Sequence, residues 1–302
     1  MCLFGRSFRR ASAAVPAACL AAACATQPDG GTATGAADEP RTETRRCIDP
    51  GLCFVTVQTG RQIEVWMETY GDRTITVVFN AYATGMRGEA PELSLIASGE
   101  TRRRLMHLKE PSDRDGSEWN WFYRFNYHIG SETREHDDGY IYRLPYRPGQ
   151  VYRVTQGFNG NSTHRGGLRY AIDWAMPTGT HVLAARGGTI VGLREDSGNV
   201  GNWNNNYIWI EHDDGTIGHY FHLQKDGALV DMGQTVKAGD LIGLSGNTGR
   251  SLSPHLHFHV STPARGRDAF KTFPIRFRTN DGEAEVLSLG RSYEAPGVQP
   301  SN

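Results

Sequence analysis

Short runs of β-branched and aromatic residues recur along most of the chain, and turn residues punctuate them. The 3.6-residue periodicity of amphipathic helices is nearly absent, so the pattern predicts a mainly β protein. A first group of strand-like runs covers Cys53–Val57, Gln62–Trp66, Thr74–Phe79, Leu93–Ala97, Trp119–Tyr127 and Tyr140–Arg143, with polar turns at Tyr70–Asp72 and Pro111–Gly116. Its spacing suits a small antiparallel sandwich-like domain over residues 47–146. A second group follows at Tyr152–Thr155, Tyr170–Ala175, Thr189–Leu193, Tyr207–Glu211, Ile217–Phe221, Leu241–Leu244 and His255–Val260. Gly187-Gly188, Asp214-Gly215, Gly239-Asp240 and Gly246–Gly249 stand between those runs, where hairpin turns are required.

The ends of the chain follow other rules. Arg6, Arg9 and Arg10 precede an Ala-rich stretch that is too short and too weakly apolar to span a membrane, and Pro16 breaks it as a helix. Residues 1–25 therefore read as an export signal. Residues 26–46 have almost no apolar content and are expected to form a disordered tether. Cys47 and Cys53, with Pro50 and Gly51 in the turn between them, are expected to pair in an oxidising compartment. Leu20–Cys24 is similar to a bacterial lipoprotein acceptor site, with Leu one position further from the cysteine than that pattern prefers. Both outer-membrane anchoring through Cys24 and plain cleavage near Ala25 remain open. With 32 basic against 33 acidic residues the chain lacks the basic stripe of a nucleic-acid binder.

All histidines except His107, His128 and His136 fall between positions 164 and 259. Those three stand isolated and are read as surface or packing residues. In a strand, His255 and His257 project to one side while Leu256 and Phe258 enter the core. Alone, that triplet fits a surface strand as well as a metal site. His164 and Asp173, on either side of a loop that enters the strand at Tyr170, add two more donors, and a catalytic zinc site needs three protein ligands with the fourth position open.

Together these residues resemble the M23 family of zinc metallopeptidases, the lysostaphin or LytM type. The resemblance runs over about residues 151–262 through His164…Asp173, Gly179-Thr-His-Val182, Ala184–Val191, Ile210–Thr216, Tyr220-Phe-His222-Leu, Gly233–Gly243, Gly246–Gly249 and Ser253–Phe258. It implies an antiparallel β domain with a groove over 147–290, including a C-terminal extension, and leaves 291–302 as a flexible tail. It further implies Zn2+ held by His164, Asp173 and His257, with His222 and His255 attending the attacking water and the transition state. Two departures stand out. Eight residues separate His164 from Asp173 where compact members have three, and His259 replaces a common Glu or Gln, a place from which it would either orient a ligand or simply pack. His181, His212 and His219 are read as structural, His219 because it stands three positions from His222, which in a strand puts it on the opposite face. The Gly-rich pieces lack the Lys-Ser/Thr and helix start of a phosphate loop and read as turns. The polar segment Ser197–Asn206, with Trp203, reads either as a groove wall or as a plain solvated loop.

By this resemblance the expected activity is endopeptidase cleavage of peptidoglycan cross-links by an exported, periplasmic protein, anchored as a lipoprotein if Cys24 is acylated. Competing readings are a catalytically silent activator of other wall hydrolases and a zinc protease with a protein substrate.

Overall fold

The structure, a computed structural model, describes residues 2–8, 41–49, 51–71, 73–89, 92–110, 119–198, 200–201, 204–264, 270–280 and 284–297. Residues 9–25 with Cys24, residues 26–40 of the expected tether, the Pro111–Gly116 turn, Trp203 and the last five positions of the tail lie outside them. The chain divides into two compact units: residues 1–71, 79–93 and 100–125 in one, and 72–78, 94–99 and 126–302 in the other.

The first unit is built on a five-stranded antiparallel sheet in the order Arg41–Asp49, Leu52–Thr59, Gln62–Thr69, Thr101–Lys109, Arg87–Glu89. The tether expected through residue 46 thus ends earlier, because Arg41–Asp49 pairs with Leu52–Thr59 as a hairpin. Arg41–Cys47 are all exposed, so this strand is held by ladder hydrogen bonds and carries no apolar alternation to announce it. Cys47 and Cys53 stand opposite each other in the hairpin and are joined by a disulfide. Phe54 packs against Phe79, Tyr123 and Phe125 in this unit's core.

The second unit carries the larger antiparallel sheet. Its strands run in the order Thr235–Val236, Gly188–Arg194, Tyr207–Glu211, Ile217–Phe221, His255–Pro263, Ile172–Ala175, Val151–Gln156 and Ser292–Glu294, so the segment expected as a flexible tail from 291 begins instead as a strand paired with Val151–Arg153. A small sheet of His181–Leu183, Leu241–Ser245 and Leu223–Ala228 accompanies it. Alternation divides the central strands cleanly. Ile208, Ile210, Tyr220, Leu256, Phe258, Val260, Ile172 and Trp174 enter one core, each with no exposed surface. The opposite face carries Tyr207, Trp209, His219, Phe221, His255, His257 and His259, and there the chemistry collects.

Candidate metal centre

Register brings the first two donors together. Ile172–Ala175 lies against His255–Pro263 with Asp173 opposite His257, and Phe221 flanks His257 from the other side. The third donor comes from the loop before the Asp173 strand. His164 Nδ1–H donates to the Gly157 carbonyl at 3.0 Å, which fixes the tautomer and leaves Nε2 with its lone pair. That Nε2 lies 3.2 Å from Asp173 Oδ1 and 2.8 Å separates the same oxygen from His257 Nδ1. Donor atoms of His164, Asp173 and His257 all fall within 4.8 Å of one another, and all three residues are buried. His164 Nε2 makes no hydrogen bond, and an orphaned, wholly buried nitrogen of this kind fits a metal ligand far better than a packing residue.

Surrounding groups fix the donors in place. Asp173 Oδ2 accepts from the Gln156 amide at 2.9 Å, which turns Oδ1 toward the two imidazoles. Burial alone would raise the Asp173 carboxyl, but the facing His257, with its hydrogen bond, and the nearby His164 hold it well below the usual carboxylate range. Burial pushes His257 down, so it sits as the neutral imidazole that ligation requires. His257 Nε2 lies 3.0 Å from His259 Nδ1, and with Nδ1 given to a metal the Nε2–H donates to His259. The long segment between His164 and Asp173 is itself ordered by a 3-10 turn at Gly166–Leu168, and Thr272 Oγ1 donates to the Gly167 carbonyl while accepting from Tyr170 N–H.

His222 and His255 face each other with ring centroids 4.6 Å apart. His222 closes the Ile217–Phe221 strand at φ 63°, an unusual conformation for a residue with a side chain. Its Nδ1–H donates to the Thr248 carbonyl at 2.7 Å, and Thr248 is braced by its own hydroxyl on Leu223 O and by Asn206 N–H. His255 Nδ1–H donates to Ser253 O at 2.8 Å and His255 Nε2 lies 4.0 Å from Asp173 Oδ1. Both histidines therefore present an Nε2 lone pair. Burial, then the neighbouring His255 and His257, lower His222 to about 4, which keeps it neutral at physiological pH.

The strained turn at His222 corrects the reading of His219. Alternation counted from His222 puts His219 on the far face, but the strand ends at Phe221 and the φ reversal breaks the count. His219 pairs with His259, stacks on it at 4.5 Å and lines the same cleft. His128, isolated in sequence, also lines it, and so does Gln156, which no motif announced. His212, as expected, packs elsewhere, with Nδ1–H donating to Gly187 O. Of the expected groove wall, Asn205 lines the cleft while Asn206 turns inward and is fully buried.

Two donors on a β-sheet face and a third from the adjoining loop, converging beside two histidines in an open cleft of about 690 Å3, make a hydrolytic type of centre. Residues 167–269 match the model of peptidase family M23, so this part of the chain is an M23-type domain. An uncharacterized metalloprotease of Buchnera aphidicola is 42% identical over 113 residues, 36% of this chain and 28% of that protein. Peptidoglycan DD-endopeptidase ShyA of Vibrio cholerae is 36% identical over 124 residues, 40% of this chain and 27% of its own length. Glycyl-glycine endopeptidase ALE-1 of Staphylococcus capitis is 41% identical over 98 residues, 32% of this chain and 25% of its own. The chain thus spans little more than a quarter of the length of any of these relatives.

Proposed function

We propose that the protein is an exported zinc endopeptidase that hydrolyses peptide cross-links of bacterial peptidoglycan. The observation that carries the reading is the set His164 Nε2, Asp173 Oδ1 and His257 Nδ1, converging beside two histidines, His222 and His255, whose Nδ1 atoms are each held by a backbone carbonyl. Two nitrogens and a carboxylate oxygen are the donor set that zinc takes in open, catalytic coordination. Zinc bound there supplies Lewis acidity toward water and toward the scissile carbonyl.

The chain's own groups carry the proton. His222 or His255 accepts a proton at Nε2 as water oxygen attacks the carbonyl carbon, and the resulting imidazolium N–H then faces the developing oxyanion. As the C–N bond breaks, that proton passes to the leaving amine and the imidazole is neutral again. The burial that lowers His222 favours this return, because the charged ring is poorly solvated. The Thr248 and Ser253 carbonyls keep both Nδ1–H groups pointing away from the reacting atoms, so neither ring needs to flip.

Peptidoglycan as the substrate is supported by relatives named for two of its bonds, the DD-peptide and glycyl-glycine links. Export and the Cys24 anchor rest on the basic and Ala-rich start of the sequence. Purified cross-linked sacculi incubated with the zinc-loaded chain should release fragments whose new ends, read by mass spectrometry, mark a cross-link cut. Intact sacculi after exhaustive digestion would remove the wall substrate from the reading. Cys24→Ser should free the protein from membranes if the anchor is used.

A further inference from the structure

The cleft face of the sheet is laid out in two parallel cross-strand rows. One runs Tyr207, Phe221, His257, Asp173 and ends in the metal donors. The other, two residues further along the strands, runs Trp209, His219, His259. Apart from His259, which accepts from His257, this second row takes no part in the chemistry described above, yet all three rings line the cleft, with His128 and Phe270 beside them.

Its rings are held firmly. His219 stacks on His259 at 4.5 Å and meets Trp209 at 5.1 Å, and His219 Nε2 shares a hydrogen bond of 2.9 Å with Ser261 Oγ. Trp209 lies over Gly192, where any Cβ would approach the indole to 2.5 Å, so the glycine makes the indole's place. Two polar atoms in the row nonetheless have no hydrogen-bond partner while shielded from solvent: Trp209 Nε1 and His219 Nδ1. Unpaired buried polar atoms cost stability, and a cleft that keeps two of them on neighbouring rings is suited to a ligand that pairs them.

We propose that this row is a subsite for one uncharged peptide unit of the substrate, whose carbonyl accepts from the Trp209 indole N–H and whose N–H donates to His219 Nδ1. The proposal rests on the peptidase reading only in expecting a peptide there. The subsite takes the tautomer in which His219 Nε2–H donates to Ser261 Oγ, which leaves Nδ1 as the acceptor that the amide N–H requires. The row offers nothing to a carboxylate. Arg250, in the loop before Ser251 on the His255 side, is the only Lys or Arg among the described lining residues. Burial first, then neighbouring histidines, keeps His219 neutral, and burial lowers His128 to about 4, so neither supplies a positive charge at neutral pH. A terminal carboxylate in this place would lose its hydration without a counter-charge.

The test uses the zinc-loaded full chain and two small probes, N-acetyl-alanine methylamide and N-acetyl-alanine, with the Trp209 indole N–H as the NMR reporter, assigned by its disappearance in Trp209→Phe. The methylamide is expected to shift that signal with saturation, and the carboxylate to move it with affinity about tenfold weaker or not at all. His219→Phe, which keeps a ring and removes Nδ1, should weaken the methylamide about tenfold, the size of one lost hydrogen bond. Zinc content equal to the parent shows that the variant is folded, and His219→Asn repeats the measurement if the phenylalanine is not accommodated. Equal affinity for the two probes, an unshifted indole at the solubility limit of the methylamide, or a His219 variant that binds it as the parent does would overturn the subsite. These readouts involve no turnover, so undigested sacculi beside a shifted indole would discard the wall substrate and leave the subsite standing.

Discussion

The two faces of the His255–Pro263 strand are equally withdrawn from water and do opposite work. Leu256, Phe258 and Val260 are fully buried among apolar side chains, and one residue away His257, His259 and Ser261 are 7%, 3% and 4% exposed while carrying groups that must find polar partners. Burial of the first set stabilises the fold through area removed from water, whereas burial of the second costs stability unless each donor and acceptor is paired. A strand alternates its faces, so structural and chemical roles fall on adjacent residues and should fail in different ways.

The largest effect expected is on activity. His257→Ala or Asp173→Ala removes one of three donors, so metal content of the purified protein should fall with turnover, by about a thousandfold or more. The fold should survive, because the core face is untouched. Phe258→Ala, one residue away, should do the reverse: destabilisation of about 3–5 kcal/mol in urea unfolding, with the folded fraction still binding metal. Metal analysis beside urea titration of the two variants makes the comparison, and a His257 variant that unfolds while keeping its metal would break it.

Within the cleft face the same logic separates His257 from His255. His222→Ala and His255→Ala remove groups that handle protons and leave all three donors, so metal should stay near one equivalent while the rate falls about a hundredfold, some 2.7 kcal/mol of barrier. Metal lost from the His255 variant and kept in the His257 variant would show that the pair's roles are exchanged.

Much of this site was legible because it is built from local patterns. Period-two alternation orients His255 and His257 from sequence alone, and His164, Asp173 and His222 are carried by ordered motifs. What escaped is what long-range pairing decides. His128 reaches the cleft from a strand more than thirty positions before His164, and Gln156 holds Asp173 through an amide with nothing distinctive around it. His219 was misplaced because alternation was extrapolated across a backbone reversal at His222 that only the Thr248 contact explains. Residues 41–46 of the Arg41–Asp49 strand read as tether for a related reason: its exposed part, Arg41–Cys47, has no buried side to produce a pattern.

The smallest effect expected contrasts the cleft histidines with one that has only a structural place. His212 is 3% exposed, its Nδ1–H is spent on Gly187 O, and its Nε2 has no partner. Burial, only partly offset by the bond to Gly187, lowers it from 6.5 to about 4. The unfolded chain therefore takes up a proton near pH 6.5 that the folded chain refuses until about pH 4, and stability falls as the pH drops through that window. Between pH 6.5 and 5.5 this single group should cost about 1 kcal/mol, since one pKa unit is worth 1.36 kcal/mol. Other buried histidines act with the same sign, so the measurement must be a difference: unfolding free energy, from hydrogen exchange in Tyr207–Glu211, for the parent and for His212→Gln across that range. The glutamine variant should lose about 1 kcal/mol less than the parent on acidification, with catalysis at neutral pH retained because His212 lies outside the cleft. Parallel pH profiles would mean that His212 is not held neutral by its surroundings, and a variant that also lost its metal would place it closer to the centre than its hydrogen bonds suggest.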